Sequence, residues 1–87
     1  MPRVFIPPLL RSLTAGQEIV DVDAKNVRQV IEELEAKFPG VRERLCDEGQ
    51  LKPGLTVAVD GQISAIGLLQ KTPPEVEVHF LPAIGGG

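Results

Sequence analysis

The chain has 87 residues, of which 43% are apolar and 24% are charged, and its formal net charge is −3 at pH 7. This length suits one domain, and the balanced composition argues against disorder. The negative charge and the lack of Tyr and Trp argue against nucleic acid as a partner, since phosphate binding needs a basic surface and bases stack on aromatic rings. An acidic protein of this kind suits a basic patch on another protein.

The single cysteine, Cys46, allows no internal disulfide. The first apolar run is short and is interrupted by Pro7 and Pro8, so we expect neither a signal peptide nor membrane association, and the reducing cytoplasm is favoured. Cys46 is interpreted as a small hydrophobic residue on a short helix. The alternative, a reactive thiol that holds a persulfide, is disfavoured because Asp47 and Glu48 should raise the pKa of the thiol.

Residues 3–10 are predicted to form the first strand. Since Pro7 and Pro8 cannot donate to a ladder, this strand must bulge or lack a neighbour at that point. A turn is predicted at 14–17, and a second strand over 18–22 completes an opening hairpin.

The helix that follows is the clearest element of the sequence. Its apolar stripe consists of Val27, Val30, Ile31, Leu34 and Phe38. Asn26 is a suitable N-cap, and Gln29 three residues later fits a capping box. Pro39-Gly40 ends the helix, and 41–49 is expected to add a short helical turn closed by a glycine.

The second half of the chain is rich in strands. Residues 55–59 and 62–66 flank Asp60-Gly61, a strong hairpin signal, and 67–75 is predicted to be mostly loop. The last strand covers 76–81. One face of this strand carries Val76, Val78 and Phe80, and the other carries Glu77, His79 and Leu81.

These elements predict an α+β fold, a two-layer roll in which one main helix crosses a sheet of four or five strands. We expect a single domain over 1–81 and a flexible tail over 82–87 that reaches roughly 16–20 Å when extended. The sequence has no phosphate-binding loop, no nucleophile elbow and no paired Cys/His metal spacing. We therefore expect no catalysis and no metal site within this chain.

The tail, LPAIGGG, is small and apolar and ends in glycines. A segment without side chains can pass through a narrow channel in another protein. The carboxyl terminus is ionised at pH 7, since the ordinary pKa of such a group is about 3.3–3.7. It can attack the α-phosphate of ATP if a partner supplies ATP and Mg²⁺, and Gly87 suits this chemistry because its unbranched α-carbon crowds the carbonyl least.

The helix end KFPGVRERL, the hairpin VAVDGQ and the ending FLPAIGGG resemble the MoaD/ThiS sulfur carriers, which have a ubiquitin-like β-grasp fold. The opening IPPLLRSLTAGQ and the ending LPAIGGG look most like the CysO-type members of that family. The resemblance covers nearly the whole chain. The di-glycine on which the family depends falls on Gly86 and Gly87, whereas Gly85 stands where many members have alanine.

The resemblance implies that an activating enzyme of the MoeB/ThiF type adenylates the Gly87 carboxylate with ATP and Mg²⁺ held at the enzyme's own site. A sulfur donor then converts the adenylate to a thiocarboxylate. A downstream enzyme takes the sulfur for molybdopterin, thiamine or cysteine synthesis. The chain is in this view a cosubstrate and not an enzyme.

The resemblance also implies an apolar surface that contacts the partner. The residues assigned to it are Leu68, Leu69, Phe80, Leu81, Pro82 and Ile84, and Gly85 and Gly86 are assigned to threading through the partner's channel. Two other functions stay open. One is a protein modifier joined through Gly87 to lysines of its targets, and the other is an interaction module with an inert tail.

Overall fold

A computed structural model describes residues 1–82 of the chain. The strands in this part are β1 (Arg3–Phe5), β2 (Ile19–Asp21), β3 (Cys46–Asp47), β4 (Gln50–Leu51), β5 (Leu55–Val59), β6 (Gln62–Ile63) and β7 (Glu77–Pro82). The helices are α1 (Val27–Lys37) and α2 (Val41–Leu45), with 3₁₀ turns at Pro8–Leu10 and Gly67–Leu69. No helix in this part is long and apolar enough to cross a membrane.

Five strands form one mixed sheet in the order β2-β1-β7-β5-β6. The central pair, β1 and β7, is parallel, and the other pairs are antiparallel. Strands β3 and β4 form a separate hairpin. Helix α1 packs on one face of the sheet and leaves the other face open. The predicted two-layer α+β fold is thus confirmed, and the first and last strands of the chain lie side by side at its centre.

The core lies between α1 and the inner face of the sheet. Val4, Val57 and Val78 come from three neighbouring strands and are completely buried. From α1, Val27, Val30, Ile31 and Leu34 face them. Burying a side chain of this size stabilises the fold by about 1.5–3 kcal/mol. The alternation of residues along β7 and the helical stripe, as predicted from the sequence, are both confirmed.

Helix α1 begins where the sequence predicts. The Asn26 side chain accepts a hydrogen bond of 2.8 Å from the Gln29 N–H. In a capping box the Gln29 side chain would accept from the N–H of Asn26. Here its Oε1 accepts instead from the N–H of the preceding residue, Lys25, at 2.9 Å. Phe38 forms the C-cap and is half-buried against the core.

Three strands are shorter than predicted, and one of them is β2, which covers Ile19–Asp21 instead of residues 18–22. Strand β1 ends at Phe5, because Pro7 has no N–H to continue the ladder and the chain turns into the 3₁₀ turn Pro8–Leu10. Strand β6 ends at Ile63 instead of residue 66. The Ser64 N–H still donates to the Val57 carbonyl at 2.9 Å, after which the chain leaves the sheet.

The segment 41–49 also differs from the prediction. Helix α2 ends at Leu45, and Cys46 begins strand β3 instead of continuing the helix. The reversal between β3 and β4 uses Glu48 and Gly49, which both adopt a left-handed backbone with φ of 53° and 78°. The glycine therefore closes a strand hairpin, not a helical turn.

Candidate functional site

The open face of the sheet carries an apolar row that crosses all five strands. Register pairs join Ile19 to Phe5, Phe5 to His79, His79 to Ala58, and Ala58 to Ile63. Residues paired in register point to the same face, and Val20, Val4 and Val78 beside them point into the core. We call Ile19, Phe5, His79, Ala58 and Ile63 the apolar stripe.

The centre of the apolar stripe is ordered by two contacts of His79. Its ring stacks on the Phe5 ring with centroids 4.2 Å apart and an angle of 10° between the planes. Its Nε2 lies 3.3 Å from Glu77 Oε1. The two residues lie on the same face of β7, as the sequence predicts, and they contact each other there. At the two ends of the stripe, Ile19 and Ile63 are exposed, so the row presents apolar area to solvent.

Strand β7 continues along the sheet to Pro82, the last residue that the structure describes. Leu81 pairs with Thr56 and Pro82 pairs with Leu55, so β5 holds the chain in register up to the last described residue. The final strand therefore includes Pro82, which the sequence had assigned to the tail. The predictions for Ile84, Gly85, Gly86 and Gly87 lie outside the described residues.

The other residues that the sequence analysis assigned to partner binding fall into two groups, one buried and one accessible to a partner. Phe80 and Leu68 retain only 4% and 9% exposure and belong to the core, so neither offers a contact surface. Phe80 is buried because it points the same way as Val78, and Leu68 is buried because its 3₁₀ turn packs on α1. Leu69 and Pro82 are exposed and Leu81 is half-buried. These three remain available to a partner.

Sequence reasoning missed most of the apolar stripe. Phe5, Ile19 and Ile63 lie on three different strands, and none was assigned to the surface. Alternation within each strand could have indicated part of the stripe. Ile19 and Phe5 are next to Val20 and Val4 in the sequence, so they point to the opposite face of the sheet. Their alignment into one row depends on the pairing of β1 with β7, which bridges more than 70 residues of sequence.

Cys46 lies on the helix side of the sheet, half-buried against the core. Burial raises the pKa of its thiol, and the Glu32 carboxylate raises it further. The predicted direction is confirmed, but the cause is different, since Asp47 and Glu48 do not contribute. His79 lies on the opposite face of the sheet, so the two do not form a nucleophile–base pair. Within residues 1–82 no three His, Cys, Asp or Glu residues are grouped as a metal site.

A cavity of about 440 Å³ adjoins Cys46 between α1 and α2. Three of the charged side chains in its walls, Glu32, Glu35 and Arg42, have partners within the chain. Arg42 Nη1 donates to Glu32 at 2.8 Å, and the Glu35 carboxylate accepts from the backbone N–H groups of Arg42 and Gly40. These N–H donors hold the pKa of Glu35 below its ordinary value. These contacts stabilise the start of α2.

A five-stranded mixed sheet crossed by one helix, with β7 at its centre, defines a protein of the ubiquitin-like β-grasp class. The chain belongs to the ThiS family, whose model matches residues 4–87. The sulfur carrier protein CysO of Mycobacterium tuberculosis is 34% identical over 89 residues, which cover 97% of this chain and 96% of that protein. These likenesses support a sulfur-carrier role.

Solved structures show the same relationship. CysO in the BexX/CysO complex of Amycolatopsis orientalis superposes with a TM-score of 0.90 at 28% identity, and both chains are covered completely. The crystal structure of Mycobacterium tuberculosis CysO gives a TM-score of 0.89 at 31% identity, covering 97% of this chain and 100% of that one. SAMP1 of Haloferax volcanii, at 24% identity and a TM-score of 0.71 over 99% and 98% of the two chains, shares the fold.

Proposed function

We propose that this chain is a sulfur carrier whose Gly87 carboxylate is adenylated by a partner enzyme and converted to a thiocarboxylate. The observation that carries the proposal is the position of β7. It is held between β1 and β5, so the sheet fixes the position of Pro82, after which the tail begins. The family match, which extends through Gly87, supports the same assignment.

The proposed chemistry takes place in two steps at the partner. The Gly87 carboxylate attacks the α-phosphorus of ATP and releases pyrophosphate, which forms an acyl adenylate. A sulfide-equivalent donor then attacks the acyl carbon, AMP leaves, and a thiocarboxylate remains. ATP and Mg²⁺ belong to the partner's site, where the metal neutralises phosphate charge. The carrier contributes the carboxylate and is a cosubstrate, not a catalyst.

The partner is an activating enzyme of the MoeB/ThiF type, and a second enzyme later accepts the sulfur. Both must reach the tail, so both approach the end of the sheet at which β7 ends, beside Leu81 and Pro82. The apolar stripe on the adjoining open face gives such an enzyme a docking surface of the kind that exposed apolar patches often mark. In the BexX/CysO complex the related carrier is bound to another protein. We place the reaction in the cytoplasm, where a free thiol such as Cys46 stays reduced.

The decisive experiment changes the position of the carboxylate. We expect that adding one glycine after Gly87, or deleting Gly87, abolishes ATP–pyrophosphate exchange with the cognate activating enzyme. One residue moves the carboxylate by roughly 3.3–3.6 Å in an extended chain. A displacement of about 1 Å can already cost a hundredfold in rate. The wild-type chain is the control, and circular dichroism checks that all three chains are folded.

Equal exchange by all three chains would contradict the proposal and favour an inert tail. Intact-mass spectrometry tests the second step. After incubation with the enzyme, ATP and sulfide, we expect part of the wild-type protein to exchange one oxygen for sulfur. Exchange of pyrophosphate without sulfur gain, together with Gly-Gly remnants on lysines of other proteins, would instead identify a protein modifier.

A further inference from the structure

The two outer strands of the five-stranded sheet, β6 and β2, differ in length. Strand β6 covers only Gln62 and Ile63. Strand β2 covers Ile19–Asp21, and hydrogen bonds toward β1 extend one residue further at each end, to Glu18 and Val22. An outer strand exposes backbone groups to which another chain can add a strand, and a very short strand limits this risk. The β2 edge is therefore the more vulnerable of the two.

The hydrogen bonds of β2 show which of its backbone groups face outward. The Glu18 carbonyl accepts from the Ile6 N–H at 2.8 Å, and the Val22 N–H also donates toward β1, at 3.1 Å. Successive residues of an antiparallel strand direct their backbone groups to opposite sides. The N–H and C=O groups of Ile19 and Asp21 therefore point away from β1. Within residues 1–82, the order of the sheet places no strand on that side.

A lysine from the helix layer occupies one of these outward groups. Lys37, the last residue of α1, places its Nζ 3.4 Å from the Asp21 carbonyl oxygen and donates to it. Ile19, two residues before Asp21, is 46% exposed and is one end of the apolar stripe. An outward backbone edge beside an exposed apolar side chain favours strand addition, and lysine is a common protection of such edges.

We propose that Lys37 closes the β2 edge, and that the strand it excludes is β2 of a second copy of this chain. The occupant follows from symmetry. In an antiparallel two-fold arrangement, Ile19 and Asp21 of one copy would pair with Asp21 and Ile19 of the other, so the edge is complementary to itself. Each Asp21 carbonyl would then accept from an Ile19 N–H, in the place that Lys37 Nζ now occupies.

Removal of the ammonium group should therefore open the edge. Two β2 strands would join the two sheets into one and bury both copies of Ile19, whereas each Lys37 ammonium group would have to leave its acceptor. A closed edge keeps the carrier a monomer and leaves the apolar stripe beside Ile19 accessible. The inference depends on the β2 edge alone and is independent of the chemistry proposed for Gly87.

Sedimentation equilibrium over a series of concentrations tests the proposal. We expect a monomeric wild type, and we expect Lys37→Ala to dimerise at concentrations about tenfold or more below those at which the wild type does. Lys37→Arg keeps a charged donor at the edge and should stay monomeric. Lys25→Ala is the matched control, because Lys25 is also exposed, lies before the start of α1, and carries the same charge.

Amide hydrogen exchange locates the contact. In the wild type the outward N–H groups of Ile19 and Asp21 should exchange quickly, and in the Lys37→Ala dimer both should become slow. Lys37 also lies at the carboxyl end of α1, where a positive charge interacts favourably with the helix dipole. Loss of that interaction lowers the thermal unfolding midpoint but produces no dimer, so the two roles of Lys37 are distinguished by mass.

Several outcomes would overturn the inference. They are a Lys37→Ala chain that stays monomeric at every concentration, equal dimerisation of Lys25→Ala or Lys37→Arg, and a wild type that is already a dimer. A Lys37→Ala dimer in which the Ile19 and Asp21 amides still exchange quickly would place the contact elsewhere and overturn it too. None of these results changes the proposed function, which ATP–pyrophosphate exchange tests separately.

Discussion

At the scale of single residues, the surroundings of Cys46 keep its thiol protonated. Burial against the core is the larger cause of the raised pKa, and the Glu32 carboxylate adds to it. The cations Arg28, Arg42 and Lys52 act in the opposite direction without reversing the shift. Because the thiolate is the nucleophile, this environment disfavours a persulfide-forming role for Cys46 and leaves sulfur chemistry to the carboxyl end.

The pH dependence of alkylation tests this assignment. A raised pKa means that the thiolate appears only at higher pH, so the rate of Cys46 alkylation by iodoacetamide should rise at higher pH in the folded chain than in urea. Glu32→Gln removes a carboxylate that raises the pKa and should move the profile back toward lower pH. Glu33→Gln, which removes a neighbouring charge that does not contribute, is the control. A folded profile at or below the unfolded one would contradict the assignment.

At the scale of elements, the start of α1 depends on one side chain. Asn26 satisfies the Gln29 N–H, which would otherwise have no partner within the helix. The same end of the helix is also fastened to the 70–72 segment, since the Val27 N–H donates to Gln70 and the Lys25 carbonyl accepts from the Thr72 N–H. The helix N-terminus and the segment 70–72 are thus joined by backbone hydrogen bonds.

Loss of the cap should be measurable. Asn26→Ala should lower the free energy of unfolding by about 0.5–2 kcal/mol, because the Gln29 N–H loses its acceptor. Asn26→Asp keeps a side-chain oxygen at the same place and should stay close to the wild type. Urea denaturation of the three chains measures the difference. If the alanine and aspartate variants were equally stable, the hydrogen bond would contribute nothing.

At the scale of the whole molecule, the two faces of the sheet have different tasks. The inner face holds the core with Val4, Val57, Val78 and Phe80, and the outer face holds the apolar stripe. Side chains alternate between these faces along each strand. Residues next to each other on β7 therefore differ in role, because one is buried in the core and the next lies on the outer face.

This division predicts that stability and activity can be changed separately. Phe80→Ala should cost about 3–5 kcal/mol of unfolding free energy, because it empties a buried site. Deleting Gly87 should leave the unfolding midpoint within error, since within residues 1–82 the buried hydrophobic residues that form the core lie between Val4 and Phe80. Thermal denaturation by circular dichroism compares the two. A Phe80→Ala chain as stable as the wild type would mean that β7 has the wrong register in this structure.

The sequence by itself determined the elements whose signals are local. The stripe and cap of α1, the Asp60-Gly61 hairpin and the alternation along β7 each depend on neighbours within a few residues, and all appear in the structure. The limits of β1 and β6 were overestimated. The residues after Phe5 and Ile63 still favour a strand, but no neighbouring strand continues the ladder beside them. Only the folded sheet shows where a partner strand ends.

Only the tertiary structure decided which apolar residues face a partner. Leu68 and Leu69 are adjacent and chemically identical, yet Leu68 is buried under α1 and Leu69 is exposed. The apolar stripe requires the pairing of β1 with β7, and a contact between the two ends of the chain leaves no periodic trace in either segment. Periodicity shows that a strand has two faces. Which of them is covered depends on the elements packed against it, and these come from distant parts of the sequence.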